Sequence, residues 1–148
     1  MTGLSDHELL NIGWREWVAF PELNISKVKA KIDTGARTSA LHAFYVDPYL
    51  DQGVPMVRFG IHPRQKRTDL EIQCHAEVAD RRLVSDSGGH QERRYVIVSR
   101  VELRDFSWPI ELTLTNRDTM RFRVLLGRTA MAGRVLIDPG ASFLLGRR

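Results

Sequence analysis

The stretch Lys31-Ile32-Asp33-Thr34-Gly35-Ala36 places a carboxylate and a glycine at the end of an apolar segment, residues 28–32. Further along the chain, Val124-Leu125-Leu126-Gly127-Arg128 predicts a second strand that ends in Gly-Arg and leads into a helix-prone segment at 129–132. Glycine lets the backbone turn tightly beside the acid, and the threonine hydroxyl can hydrogen-bond to a neighbouring strand. The two segments together predict a pair of rigid loops around one carboxylate.

Two neighbouring carboxylates can hydrolyse a peptide bond without a metal or a covalent intermediate. One activates a water as the base while the other donates a proton to the carbonyl oxygen, and the pair shares one proton because both cannot ionise cheaply. A single Asp-Thr-Gly is weak support for this chemistry, since both residues are common in turns. The chain has one such motif, so the second acid must be Asp33 of another copy, which predicts a homodimer.

These motifs resemble the active-site framework of the retropepsins, which are homodimeric aspartic peptidases. Over residues 33–42, 85–94 and 125–129 the sequence is similar to a bacterial retropepsin-like family often labelled ATP-dependent zinc protease, which is associated with ATP-grasp ligases that add glutamate to a ribosomal protein. The resemblance covers most of residues 28–145. It implies an all-β, closed antiparallel β barrel with a flap hairpin and one short helix, and it assigns catalysis to Asp33, Thr34 and Gly35.

Strand patterns dominate the chain, as such a barrel requires. Alternating or β-branched segments predict strands at 28–32, 70–78, 95–98 and 110–114. Turns are expected at 47–48, 51–53, 87–89, 105–109 and 116–118. The length of 148 residues predicts a single domain, 1–148, in which residues 1–12 form a less ordered extension. By analogy with viral relatives, the apolar run at 141–145 is expected to add a strand to an intersubunit sheet.

The segment from 82 to 98 has the composition of a mobile hairpin. Gly88 and Gly89 can absorb backbone changes at its tip, and the retropepsin resemblance makes this hairpin the flap over the substrate. A plain surface hairpin is the alternative interpretation.

One departure from the viral pattern predicts the substrate. In viral retropepsins an acid follows Asp-Thr-Gly-Ala and pairs with the arginine of Gly-Arg, whereas here Arg37 stands in that place and would face Arg128. Two guanidinium groups need an anion between them, so an acidic, glutamate-rich peptide is the expected substrate. The candidate substrate-binding residues are Ala36, Arg37, Gly88, Gly89, Arg93 and Arg128.

The composition and motifs of the chain argue against several other classes of function. The chain carries a net charge of +4 and 43% hydrophobic residues, which is ordinary for a globular protein. No nucleic-acid partner is expected, because the basic residues lack a recognition motif, and no membrane partner, because no apolar run is long enough to span a bilayer. The absence of a leader pattern and the single cysteine, Cys74, predict a cytoplasmic protein.

Neither a metal nor a cofactor is expected from the sequence. The five histidines are scattered, and adjacent Cys74 and His75 on a strand should point to opposite faces. No phosphate-binding glycine loop is present, so any ATP dependence would belong to an associated ligase. Two alternatives stay open: a non-enzymatic dimeric binding module for a modified ribosomal protein or a ligase, and a zinc-dependent protease as the family label suggests.

Overall fold

The computed structural model describes residues 9–64, 67–85, 88–116 and 121–146. Twelve strands are present in this part of the chain, together with a 3-10 turn at Pro21–Leu23 and one helix, α1 (Arg128–Met131). The strands are β1 (Leu10–Gly13), β2 (Arg15–Phe20), β3 (Ile25–Ile32), β4 (Ser39–His42), β5 (Tyr45–Asp51), β6 (Val54–Ile61), β7 (Ile72–Glu77), β8 (Asp80–Ser85), β9 (Gln91–Leu103), β10 (Phe106–Thr115), β11 (Val124–Leu126) and β12 (Val135–Asp138). None of the described helices is long and apolar enough to cross a membrane.

Six strands close into a barrel. Their order is β10-β4-β11-β3-β2-β9, and β9 pairs back onto β10, while β8 extends the sheet beyond β9. On β3 the apolar side chains of Val28, Ala30 and Ile32 alternate with lysines, so one face of the strand is buried in the barrel and the other is solvated. The predicted all-β barrel with one short helix is confirmed.

The barrel is mixed rather than antiparallel, so that part of the prediction was wrong. β3 pairs with β11 in parallel, and β4 pairs with β10 in parallel. The parallel β3–β11 pair has a direct consequence for the site, because both strands end at the same end of the barrel. Asp33 and Gly127, which follow these strands, therefore leave the sheet side by side.

A separate three-stranded sheet, ordered β5-β6-β7, packs onto the barrel core. Phe59 and Cys74 on this sheet are buried, and the Cys74 thiol donates to the carbonyl oxygen of Leu23 at 3.4 Å. Burial raises the pKa of the Cys74 thiol to about 11, which keeps it neutral and suits a core residue. His75 is exposed on the opposite face, as the strand alternation predicted.

The predicted strands at 28–32, 95–98 and 110–114 lie within β3, β9 and β10, the one at 70–78 extends beyond both ends of β7, and the predicted helix overlaps α1. Two predicted turns were wrong. Residues 47–48 lie inside β5, where Pro48 is tolerated because β5 is an edge strand and needs fewer donors. Of residues 105–109 only Asp105 lies in the turn, since β10 begins at Phe106.

The remaining predicted turns and the predicted amino-terminal extension lie partly outside the described residues. Gln52 and Gly53 form the β5–β6 turn with positive φ, as expected at 51–53. Positions 87, 117 and 118 lie outside the described residues, as do positions 1–8 of the expected extension. The structure places residues 10–12 in β1, which pairs in parallel with β12.

Residues 141–145 do not form a strand, which corrects the prediction of a terminal strand. Phe143 has a left-handed backbone (φ 55°), a conformation that a β-strand does not contain. The segment instead packs on its own barrel, where the buried Glu16 carboxylate accepts hydrogen bonds from the backbone N–H groups of Gly13 (2.7 Å), Leu144 (2.9 Å) and Leu145 (3.2 Å). One carboxylate thus joins β1 to the carboxyl-terminal segment.

Replacing Glu16 by Gln tests this junction. The amide nitrogen cannot accept a hydrogen bond, so at least one of the three backbone donors loses its partner, and we expect the free energy of unfolding to fall by about 3 kcal/mol. Urea denaturation of Glu16→Gln measures the change, with Glu77→Gln on the exposed side of β7 as the matched control. Equal midpoints for the two variants would contradict a stabilising role for Glu16.

Candidate active site

Asp33 is fixed by hydrogen bonds of its own loop and of the neighbouring strand. Its backbone N–H donates to the carbonyl oxygen of Leu126 at 2.9 Å, which extends the β3–β11 ladder by one residue. Its Oδ1 accepts from the N–H of Gly35 at 2.9 Å, and the N–H of Ala36 donates to its carbonyl oxygen at 3.3 Å. This is an Asx-type turn, and it leaves Oδ2 with no hydrogen bond to any described residue.

The loop after β11 is bonded directly to the loop that carries Asp33. The N–H of Arg128 donates to Ala36 O at 2.8 Å, and Thr129 donates to Arg37 O through both its N–H (3.1 Å) and its hydroxyl (2.9 Å). The Arg128 guanidinium also donates to Thr34 O at 2.9 Å. Four hydrogen bonds therefore fix the two loops against each other.

Gly127 stands where these loops come closest. A Cβ at this position would lie 2.6 Å from Thr38 O and 2.9 Å from Ala36 O, both closer than real contacts allow. Its N–H donates to the buried Ser39 hydroxyl at 3.0 Å. No side chain larger than a hydrogen atom fits at position 127, so the Gly-Arg motif requires its glycine. The predicted pairing of the two segments is present in the fold.

A groove with a volume of about 920 Å³ opens over this pair of loops. It is lined by residues of the Asp33 loop, β4, β11 and α1 and by residues of β8, β9 and β10. The lining residues are Asp33, Gly35, Ala36, Arg37, Thr38, Ala40, Arg82, Leu83, Val84, Ser85, Arg94, Glu111, Thr115, Leu125, Arg128 and Thr129. The sequence-predicted residues Asp33, Gly35, Ala36, Arg37 and Arg128 thus share one groove.

Two of the four groove arginines are neutralised by carboxylates. Arg82 makes a two-pronged contact with Glu111 at 2.7 and 2.9 Å and a third contact with Asp80 at 2.7 Å. These hydrogen bonds from Arg82 lower the pKa of the Glu111 carboxyl and also that of Asp80. Glu111 is therefore held as an anion on Arg82.

Arg94, which is not among the predicted site residues, is the second neutralised arginine. It is buried, and it donates to Glu92 at 2.9 Å and to the Thr113 hydroxyl at 3.2 Å. The predicted Arg93 is exposed and does not line the groove, because successive residues of β9 point to opposite faces. The period-2 pattern of β9 was the signal that distinguishes Arg94 from Arg93.

Arg37 and Arg128 are the other two groove arginines. Neither makes an ion pair with any carboxylate in the described parts of the chain. Arg37 acts on Glu111 through Coulombic attraction, which helps to lower the pKa of that carboxyl, but it makes no ion pair with it.

The hairpin predicted as a flap covers one side of the groove. β8 and β9 pair from Asp80–Val96 to Ser85–Gln91, and residues 82–85 line the groove. At the tip, Gly89 has φ +82°, which a side chain would strain, while Gly88 lies next to it. Neither glycine lines the groove, so their predicted part in substrate binding depends on hairpin movement.

The described residues around the groove do not fit a zinc site. Among them, no three His, Cys, Asp or Glu side chains converge, and the carboxylates of the groove, Asp33 and Glu111, have no histidine or cysteine beside them in the lining. His42, His62 and His75 lie in or next to three different strands, and His62 stacks on Phe44.

Comparisons with known proteins show the family and the fold of this chain. The model of a family described as "RimB-like: Retropepsin-like aspartic endopeptidase RimB" matches residues 11–148. The crystal structure of Lpg0085 from Legionella pneumophila, a protein with unknown function, has a TM-score of 0.76 at 24% identity and covers 93% of this chain and 99% of its own. At this level of sequence identity, the likeness shows a shared fold alone.

Curated relatives carry a different name. Proteins from Shewanella pealeana (46% identical over 145 residues, 98% of this chain) and Parasynechococcus marenigrum (45% over 135 residues, 91% of this chain) are both named "Probable alpha-L-glutamate ligase". This chain spans only 31% and 29% of their respective lengths. The name therefore refers to proteins about three times as long as the part that matches.

Gly127→Ala tests the close contact between the loops. Because the added methyl group would overlap two carbonyl oxygens, we expect the loops to separate and the free energy of unfolding to fall by about 2 kcal/mol or more. Gly140→Ala is the matched control, since its Cβ would meet no atom closer than 3.6 Å. Chemical denaturation compares the two variants, and a Gly127→Ala protein as stable as the control would refute the close packing.

Proposed function

This chain belongs to the RimB-like family of retropepsin-like aspartic endopeptidases, and we propose that it hydrolyses peptide or isopeptide-like bonds as a homodimer with Asp33 of each chain as the catalytic dyad. The observation that carries the proposal is the placement of Asp33. Its carboxylate lines the groove and accepts a hydrogen bond from Gly35, in a loop that four hydrogen bonds join to the loop after β11. A carboxylate positioned in a groove that can admit a substrate is what acid–base hydrolysis of an amide requires.

The second acid of the reaction has to come from a second chain. The other carboxylate that lines the groove, Glu111, is held as an anion by Arg82 and cannot share a proton with Asp33. Two Asp33 loops related by a twofold axis would present two equivalent carboxylates, and Thr34 and Gly35 would shape both. The homodimer is therefore part of the proposed mechanism.

The substrate class follows from the charges beside Asp33. Arg37 and Arg128 line the groove without a carboxylate partner among the described residues, while Arg82 and Arg94 already have one. A peptide with glutamate side chains would supply the missing anions through charge-assisted hydrogen bonds. The hairpin with Gly88 and Gly89 would close over such a peptide and exclude water.

A ligase is the partner that the relatives suggest. A segment similar to this chain forms about three tenths of proteins named as glutamate ligases, so the two modules occur in one polypeptide there. We infer that this chain acts on the same kind of acidic product that a glutamate ligase makes, with any requirement for ATP residing in the ligase. A dimer that binds such a product without cleaving it is the alternative function.

Asp33→Asn is the direct test of catalysis. The amide has nearly the same shape but can neither act as a base nor share a proton, so we expect hydrolysis of glutamate-rich peptides to fall by about 10³-fold while folding is retained. Asp47→Asn is the matched control, because Asp47 is exposed on β5 and pairs with Arg58 outside the groove. Cleavage products are quantified by mass spectrometry and folding by circular dichroism.

Three results of this assay would change the assignment. Equal cleavage by Asp33→Asn and wild type would remove Asp33 from the mechanism. Activity that is lost on chelation and restored by zinc would favour the metalloprotease alternative. Binding of the peptides by wild type without any cleavage would favour the binding module.

Mixing the two proteins tests the shared dyad. If each active site needs Asp33 from both chains, an equimolar mixture with Asp33→Asn should reduce the activity per wild-type chain to about half, since random pairing puts half of the wild-type chains in mixed dimers. Activity should also fall on dilution below the dissociation constant of the dimer, which sedimentation measures. Full activity of a monomer, or an unchanged rate in the mixture, would refute the dyad.

A further inference from the structure

A row of cations lies on the outer face of the barrel, on the strand that leads to Asp33. Lys27, Lys29 and Lys31 alternate with the buried residues of β3, so all three point outward. On the neighbouring β2, Arg15 is paired in register with Lys31 and Trp17 with Lys29. We call the three lysines and Arg15 the lysine row; it contains three of the four lysines of the chain.

The lysine row continues directly into the groove. Lys31 is the register partner of Leu125 on β11, and Leu125 is in turn the partner of Ala40 on β4. Cross-strand partners have side chains on the same face of the sheet. Since Leu125 and Ala40 line the groove, Lys31 lies at its edge, and the row forms an extension of the groove over β3 and β2.

The charges of the lysine row are not balanced. None of its four cations makes an ion pair with a carboxylate in the described ranges, whereas the exposed Arg58 and Arg67 each have an aspartate partner. Of the acids nearest in sequence, Glu16 points into the barrel and accepts from three backbone N–H groups, Glu22 accepts from the N–H of Arg100, and Asp33 lies in the groove. The row therefore presents four cations without an ion pair, to which an external anion can bind.

The spacing of the row fits an extended acidic chain. Alternate residues of a strand are separated by about 6.6 Å, and alternate side chains of an extended peptide have the same repeat. We propose that the lysine row is an exosite that binds the acidic remainder of a polypeptide whose cleaved bond lies in the groove. This inference rests on the proposed function, and it extends the substrate from a few residues to a glutamate-rich segment.

A nucleic acid fits the row less well than an acidic peptide. Single-stranded nucleic acids gain affinity by stacking bases on exposed aromatic rings. Here the Trp17 ring already contacts the ammonium groups of Lys27 (4.7 Å) and Lys29 (5.2 Å) and stacks with Phe143 at 5.9 Å between ring centroids. Arg15 likewise lies over the rings of Trp14 and Phe143. The aromatic side chains therefore support the cations instead of offering a free face.

The test measures binding in the Asp33→Asn protein, so that hydrolysis does not interfere. Fluorescence anisotropy compares a short glutamate-containing peptide with the same peptide extended by a run of glutamates, or of glutamines, at either end. We expect the glutamate extension to tighten binding about tenfold and the glutamine extension to have no effect. In the triple variant Lys27→Gln, Lys29→Gln, Lys31→Gln the gain should disappear, while binding of the short peptide should not change.

A matched variant controls for net charge. Arg58→Gln, Arg67→Gln, Arg134→Gln removes the same number of positive charges outside the row and the groove, and should keep the gain from the glutamate extension. Thermal unfolding confirms that both variants are folded. A gain that survives the lysine substitutions, or that is lost equally in the control, would overturn the exosite.

The outcomes separate the exosite from the proposed function. Cleavage of the short peptide by the wild type, with no gain from the extension, leaves the peptidase and removes the exosite. Lysine-dependent binding of the extended peptide, with no cleavage by the wild type, would support the lysine row as a binding site for acidic peptides and would exclude the peptidase activity. Oligouridine that binds more tightly than the extended peptide, with the same dependence on the lysines, would make the row a nucleic-acid site and overturn the proposal.

Discussion

The contact between the loops that follow β3 and β11 is the constraint on which the site depends. Gly127 lies so close to the carbonyl oxygens of Ala36 and Thr38 that no side chain fits, and the N–H of Arg128 bonds to Ala36 O across the same contact. Because the two strands are parallel, the barrel brings both loops to one end and fixes their separation. If Asp33 acts on a substrate as proposed, this contact would hold its carboxylate in place before the substrate binds, and such preorganisation favours proton transfer.

The four arginines of the groove fall into two pairs, one with carboxylate partners in the chain and one without. Arg82 and Arg94 have carboxylate partners within the chain, and they form a polar wall that is stable without ligand. Arg37 and Arg128 lack such partners in the described residues, and the lysine row extends the same imbalance over β3 and β2. Electrostatic attraction would thus act on an acidic chain along a continuous surface, from the row to the carboxylate that would cut it.

The fold also limits how two chains can assemble. Residues 141–145 are bonded to Glu16 and packed on Trp17 of their own barrel, so in this arrangement they are not a free strand. A dimer that brings two Asp33 loops together therefore needs an interface built from other parts of the surface. The loops themselves and the hairpin of β8 and β9 stand at that end of the molecule.

Local patterns predicted the all-β class and the position of Asp33 at the end of β3, because alternating apolar side chains and a glycine after a strand involve neighbouring residues only. The pairing of Asp33 with Gly127, which lie far apart in the sequence, was predicted from the resemblance of the two motifs to the retropepsins. Tertiary contacts alone establish the parallel pairing of β3 with β11 and the capture of the carboxyl-terminal segment by Glu16. Each of these depends on which distant strand lies beside a residue. Apolar pattern alone could not show that residues 141–145 turn away from strand geometry, since a buried carboxylate more than a hundred positions earlier holds them.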